Sequence, residues 1–217
     1  METVTHHGRE TAYRLAGGEG AHAVCVHGSG GTHRVWAAQY APDGPVRPAA
    51  AVDLSGHGDS EDVDADPGPD ALDAYAADVV AVARETGART LVGTSLGGAV
   101  VLRVALDAAF DSAALVLAGT GAKLAVTERL REWLAVVGEH DGLTPPSYHE
   151  YLAANVREGE WREIPGAAHA VMIERPDAFN GAVGRFLEES AVSKPSTRKP
   201  DPQRASGAVA PERSRGG

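Results

Sequence analysis

Short apolar runs recur along this chain. Each ends in a glycine-rich or polar motif, and helical spacing follows several of them. Residues 21–26 run into HGSGG at 27–31, residues 48–54 into SGHG at 55–58, and residues 90–94 into SLGG at 95–98. Further strand-like runs occupy 11–15, 113–118, 134–137 and a stretch ending at Ile164. Between them, Leu72, Tyr75, Ala76, Val79, Val80 and Ala83 lie at helical spacing, as do Phe179, Val183, Phe186 and Leu187. Residues 99–109 are apolar enough for a buried helix. Repeated strand-then-helix order predicts the α/β class, a doubly wound, mostly parallel sheet with helices on both faces. Ligands of such sheets sit outside the carboxyl ends of the strands. The motifs fall there; a packing role alone would scatter glycines and histidines over both ends.

Length and composition narrow the class further. With 217 residues the chain suits one domain and a tail. We place the domain over 1–190 and a basic Pro/Ser/Arg/Gly tail over 191–217, with too few large apolar residues to offset its ordering entropy. The net charge is −10, which argues against a nucleic-acid binder. The single cysteine, Cys25, excludes an intrachain disulfide framework and a cysteine-rich zinc site. No apolar run has membrane-spanning length and no signal-peptide core opens the chain, so a soluble cytoplasmic protein is expected. Only three lysines stand against 17 arginines. An acidic, lysine-poor body fits solubility at high salt; genomic base composition would give the same bias.

The motifs carry the chemistry. Gly93-Thr94-Ser95-Leu96-Gly97 matches G-x-S-x-G between a strand and a helical segment. Small neighbours relieve the sharp turn that exposes Ser95, and the helix N-terminus favours developing negative charge there. The alternative is a simple Ser/Gly turn. A serine hydroxyl needs a base, and the base an orienting carboxylate. His169 follows the strand ending at Ile164, and Asp141 follows the strand over 134–137. Glu139 is the nearest rival to Asp141, but it lies closer to its strand. The order Ser, Asp, His differs from the chymotrypsin-like and subtilisin-like orders. The oxyanion donors are expected at the backbone N–H groups of Leu96 and Ser29. A phosphate-cradling loop is a poor reading of 27–31, because no lysine follows at P-loop spacing.

With these residues in place, the chain resembles the α/β-hydrolase family, in its esterase, lipase and C–C hydrolase branch. HGSGG at 27–31, DLSGHGDS at 53–60, GTSLGG at 93–98, VGEHDGLTPP at 137–146 and PGAAHAVMIERPDAFN at 165–180 carry the resemblance. It implies Ser95 as nucleophile, His169 as base and Asp141 as its partner, with Leu96 and Ser29 forming the oxyanion hole. His27, Gly28, Trp36 and Met172 are expected near the substrate. Asp53, Gly56, His57 and Gly58 match a motif that is mainly architectural. The serine at the elbow separates the chain from dehalogenases and epoxide hydrolases of the fold, which use a carboxylate there. No cofactor or metal is implied. The expected function is hydrolysis of small carboxylic esters through an acyl-enzyme, with a small ester-like substrate and a monomer or homodimer.

One departure stands out. Members usually carry a helical cap after the sixth core strand, whereas here only residues 123–133 separate that strand from the next. That length suits one short crossover helix, so the cap is expected to be minimal or absent, through natural deletion or as a capless variant. An open, wet cleft would favour small activated esters. The alternative function is a non-catalytic or degenerate hydrolase-fold binding protein crippled by loss of the cap.

Overall fold

The computed structural model describes residues 1–63, 69–106, 110–120, 132–155 and 159–192. The expected crossover over 123–133 lies outside the described residues as far as 131, as do the last three residues of the helix expected over 99–109 and the tail from 193. The strands are β1 (Glu2–His6), β2 (Arg9–Ala16), β3 (Ala23–Val26), β4 (Ala49–Val52), β5 (Thr90–Thr94), β6 (Ala114–Ala118), β7 (Trp133–Gly138) and β8 (Gly159–Ile164). They form one sheet in the order β1-β2-β4-β3-β5-β6-β7-β8. The β1/β2 and β2/β4 pairs are antiparallel, and all later pairs are parallel. The helices are α1 (Pro69–Thr86), α2 (Leu96–Leu106), α3 (Pro146–Asn155), α4 (Val171–Glu174) and α5 (Pro176–Val192), with a 3-10 turn at His33–Trp36. This is the doubly wound, mostly parallel α/β sheet that the alternation predicts.

Strand periodicity assigns the two faces. Val24, Val26, Ala50, Val52, Leu91, Leu115, Leu117 and Ala135 pack on the side of α1, α2 and α3. Their neighbours Ala23, Cys25, Ala49, Ala51, Val92, Val116, Leu134 and Val136 pack on the other side, with Trp36 and α5. Both faces are buried, so the central strands read as continuous apolar runs rather than as alternation. Phe179, Val183 and Phe186, at four- and three-residue steps along α5, cover the second face.

The antiparallel edge is tied to the rest by one buried carboxylate. Asp78 of α1 has no exposed side-chain surface. It accepts from Arg9 Nη2 at 2.8 Å, Thr11 Oγ1 at 3.1 Å, and Ser55 N and Oγ at 2.9 and 2.7 Å. These bonds satisfy a charge that would otherwise be costly to bury.

Register brings the chemistry to one edge. Val26 pairs with Gly93, Thr94 with Ala118, Ala118 with Val136, and Gly138 with Ile164. The carboxyl ends of β3, β5, β6, β7 and β8 therefore form a row. The loops bearing His27, Ser95, Gly119, Asp141 and His169 all leave from it.

Candidate active site

Ser95 joins β5 directly to α2 with a backbone φ of +52°. A non-glycine residue in the left-handed region costs about 1 kcal/mol or more, so its surroundings must enforce it. The Ser95 amide donates to Ala118 O at 2.9 Å. Three glycines make the turn fit. A Cβ on Gly93 would collide with Gly97 O, one on Gly97 with Val26 O, and one on Gly98 with Thr120 Oγ1. The second glycine of G-x-S-x-G thus permits α2 to pack on β3, and Gly98 extends the requirement by one residue.

His169 leaves β8 through Pro165 and Gly166 and keeps 26% of its side chain exposed. Its Nδ1 lies 2.9 Å from Asp141 Oδ2. An ionised carboxylate only accepts, so the neutral ring donates from Nδ1 and leaves Nε2 bare. Asp141 is held rigidly. Its Oδ1 accepts from Leu143 N at 2.9 Å and Thr144 N at 2.8 Å, and its Oδ2 from Thr144 Oγ1 at 2.7 Å. Burial pushes the Asp141 carboxyl up, but the bonds from Thr144, His169 and Leu143 outweigh it and hold the group below its ordinary value. Glu139 is exposed and accepts from Gly166 N at 2.9 Å, so it ties β7 to the β8 loop and does not bond to His169 among the described residues.

The loop after β3 approaches the serine closely. A Cβ on Gly28 would stand 3.1 Å from Ser95 Cβ and 3.8 Å from Ser95 Oγ. Ser29 beside it is exposed. The N–H groups of Ser29 and Leu96 have no hydrogen-bond partner among the described residues, as an oxyanion donor requires before substrate arrives. No hydrogen bond joins Ser95 Oγ to His169 among the described residues; such bonds often tighten only around substrate.

Three of the residues expected near substrate lie inside instead. His27 has no exposed surface, and both its nitrogens are occupied: Nδ1 donates to Gly28 O at 2.7 Å and Nε2 accepts from Leu54 N at 3.0 Å. It braces the Gly28 loop. Trp36 has no exposed surface either, and packs against Phe179 with ring centroids 6.2 Å apart. Met172 is 4% exposed and belongs to the same core. Proximity in sequence to the loops suggested a pocket, but inward-facing apolar positions beside the sheet end in the core. Of the expected contact residues, Gly28 borders Ser95. Asp53 and His57 are architectural. Asp53 accepts from the His33 backbone at 2.6 Å and from Asp59 N at 3.1 Å, while His57 Nδ1 lies 3.0 Å from Ser55 O.

Sequence reasoning missed Thr144, Gly119, Thr120 and His149. Part of this was legible, because an Asp in a turn commonly accepts from the backbone two residues on, here Leu143 N. Gly119, at φ +52°, lies against His169: a Cβ there would stand 2.8 Å from His169 O and 3.2 Å from Nδ1. Nothing local in the sequence marks His149, which comes in through α3.

Among the described residues no group of three or more His, Cys, Asp or Glu could hold a metal ion. Burial pushes the Cys25 thiol up to about 12, so it offers no thiolate nucleophile near neutral pH. No described helix is long and apolar enough to cross a membrane.

The sequence profile of the alpha/beta hydrolase family matches residues 23–143. No curated protein matches the chain by sequence. Many solved structures match it in fold. A thermophilic esterase is 25% identical with a TM-score of 0.75, over 87% of this chain and 97% of that one. A hydrolase from Pseudomonas aeruginosa is 24% identical with a TM-score of 0.74, over 86% and 97%. An enol-lactonase from Burkholderia xenovorans shares the fold at 19% identity and a TM-score of 0.73, over 86% and 100%.

Proposed function

The chain belongs to the alpha/beta hydrolase family, and from that premise we propose that it is a serine hydrolase of small carboxylic esters. The observation that carries the reading is the Asp141–His169 pair, 2.9 Å apart, on the loops beside a Ser95 held at positive φ. Ser95 Oγ attacks the ester carbonyl while His169 Nε2 takes its proton. The oxyanion forms against the N–H groups of Leu96 and Ser29. His169 then protonates the leaving alcohol, and the acyl group remains on Ser95. Water, deprotonated by the same nitrogen, releases the acid and restores the serine. Asp141 keeps the imidazole in its productive tautomer and stabilises the imidazolium.

Any cap between β6 and β7 must come from the few residues between Thr120 and Glu132, which is too short for the usual helical insertion. We therefore place the acyl and alcohol groups in an open cleft. Such a cleft favours short, activated esters and discriminates weakly between acyl chains. The ester-like substrate needs no cofactor in this scheme. The thermophilic esterase to which the chain is 25% identical fits this reading.

The test is hydrolysis of p-nitrophenyl acetate and butyrate by the native chain and by Ser95→Ala, in low and high salt. Turnover lost in the variant is expected. A folded native chain no faster than its variant would point instead to a non-catalytic binding protein of this fold. Turnover that rises with salt would support salt adaptation of the acidic body.

A further inference from the structure

A second histidine stands behind the catalytic pair, and the mechanism above leaves it without a role. His149 lies in α3 with no exposed surface. Its Nε2 accepts the Thr120 amide proton at 3.2 Å. Its Nδ1 is buried and faces the Pro145 carbonyl without a well-formed hydrogen bond. An accepting Nε2 must be bare, so the ring is neutral with its proton on Nδ1. Thr120 in turn is 2% exposed, and its hydroxyl lies 3.3 Å from Ser95 O and 3.1 Å from Ala118 O. Ala118 O receives the Ser95 amide, and Gly119 lies against His169. The turn at 119–120 thus touches both the nucleophile's backbone and the base's ring, and His149 is the side chain that caps it.

We infer that His149 is a positioning residue for the proposed hydrolysis, its neutral ring fixing through the Thr120 amide the turn that supports both Ser95 and His169. The inference rests on the serine-hydrolase reading for its effect on turnover. A proton on Nε2 would face the Thr120 N–H and break the bond. The titratable groups that face the ring are Asp141, on the loop after β7, and His169, on the loop after β8. Asp141 favours the cation and His169 opposes it, while burial, the largest influence, lowers the His149 pKa below its ordinary value. Near neutral pH the bond therefore holds; protonation of the ring in acid releases it.

Two variants separate the roles. His149→Gln keeps a neutral acceptor without a titrating proton. His149→Leu keeps much of the volume and leaves the Thr120 amide unpaired. We expect His149→Leu to lower kcat about tenfold or more with KM within about twofold. His149→Gln should recover most of kcat. A folded His149→Leu with native kcat, or a His149→Gln no more active than His149→Leu, overturns the inference. A second readout is independent of turnover: proton–nitrogen correlation spectra of the nitrogen-15-labelled full chain at pH 7. A His149 ring bare at Nε2 and protonated at Nδ1 supports the inference; a ring protonated at Nε2 overturns it. This readout decides even if His149→Leu fails to fold. Native turnover no greater than that of Ser95→Ala would count against the serine-hydrolase reading, and the ring spectrum would then judge the His149 contact by itself.

Discussion

The Thr120 hydroxyl occupies the space that a side chain on Gly98 would need. Gly98 lies in the first turn of α2, its amide donating to Ser95 O at 3.0 Å, and Thr120 lies within hydrogen-bond reach of the same oxygen. The two residues meet where α2 crosses the end of β6. Their fit sets how closely the helix carrying the Leu96 amide can approach the sheet. Gly98→Ala should therefore destabilise the fold by about 1–3 kcal/mol, the usual cost of overpacking. It should also lower kcat, because relief of the clash displaces Ser95. Thermal unfolding and ester hydrolysis check both effects. Adding Thr120→Gly should recover part of the lost stability; no recovery would mean that the clash lies elsewhere.

Thr144 supplies two of the hydrogen bonds that hold Asp141, one from its amide and one from its hydroxyl. Thr144→Val removes only the hydroxyl donor at nearly constant shape. The carboxylate then loses a charge-assisted bond, worth about 1.5–3 kcal/mol in typical cases. We expect the Asp141 pKa to rise toward its ordinary value and kcat to fall by about tenfold, with little change in KM. A Val variant with native kcat would show that the two backbone amides suffice to hold the group.

Much of the architecture can be read from the chain because both faces of the central strands are buried. Apolar runs such as 90–94 stand out, and β5 begins and ends where its run does. The edge strand β1 does not stand out. Glu2–His6 is largely exposed and polar, and it turns into β2 through His7 and Gly8, both at positive φ. A His-Gly turn lacks the usual Asn-Gly signature of such a hairpin. Helix α3 was hidden for a related reason: among its described residues, only Leu152 and His149 are fully buried. The gathering of Ser95, Asp141 and His169 on loops at one edge of the sheet was legible from motif and order. The burial of Trp36 and Met172 was not, because it depends on which way their side chains turn after leaving the sheet.

Stability should fall as the solution is acidified below neutral. His27 and His149 are fully buried, and each presents a bare nitrogen to a backbone N–H, that of Leu54 or Thr120. Burial lowers both pKa values in the folded protein. Between those lowered values and about 6.5, the unfolded chain binds more protons than the native one, so acid favours unfolding. Their contribution is complete well above pH 6.5 and drains away as the pH falls through that window. Asp141, lowered in the folded state, adds a further loss only nearer the carboxylate range. Urea midpoints measured from pH 8 to pH 5 should decline, most steeply below about 6.5. A flat midpoint across that range would rule this linkage out.

Asp141→Asn tests the orienting role most directly. The amide matches the carboxylate in shape and can still accept from the Leu143 and Thr144 amides. It can also turn its NH2 toward His169, which then accepts at Nδ1 and carries its proton on Nε2. That tautomer cannot take the Ser95 proton. The negative charge that steadies the imidazolium is also gone. By analogy with characterised serine hydrolases, a loss of about 10^4 in kcat is expected, with residual turnover from the backbone donors. KM should change little, because Asp141 is buried behind the base and has almost no surface for substrate. The pH profile carries the decisive detail. If the defect is a wrong tautomer, activity should recover partly at high pH, where hydroxide in solution can replace the blocked base. An Asn variant with near-native kcat would remove Asp141 from the mechanism and leave His169 to be oriented by Gly119 and its loop alone.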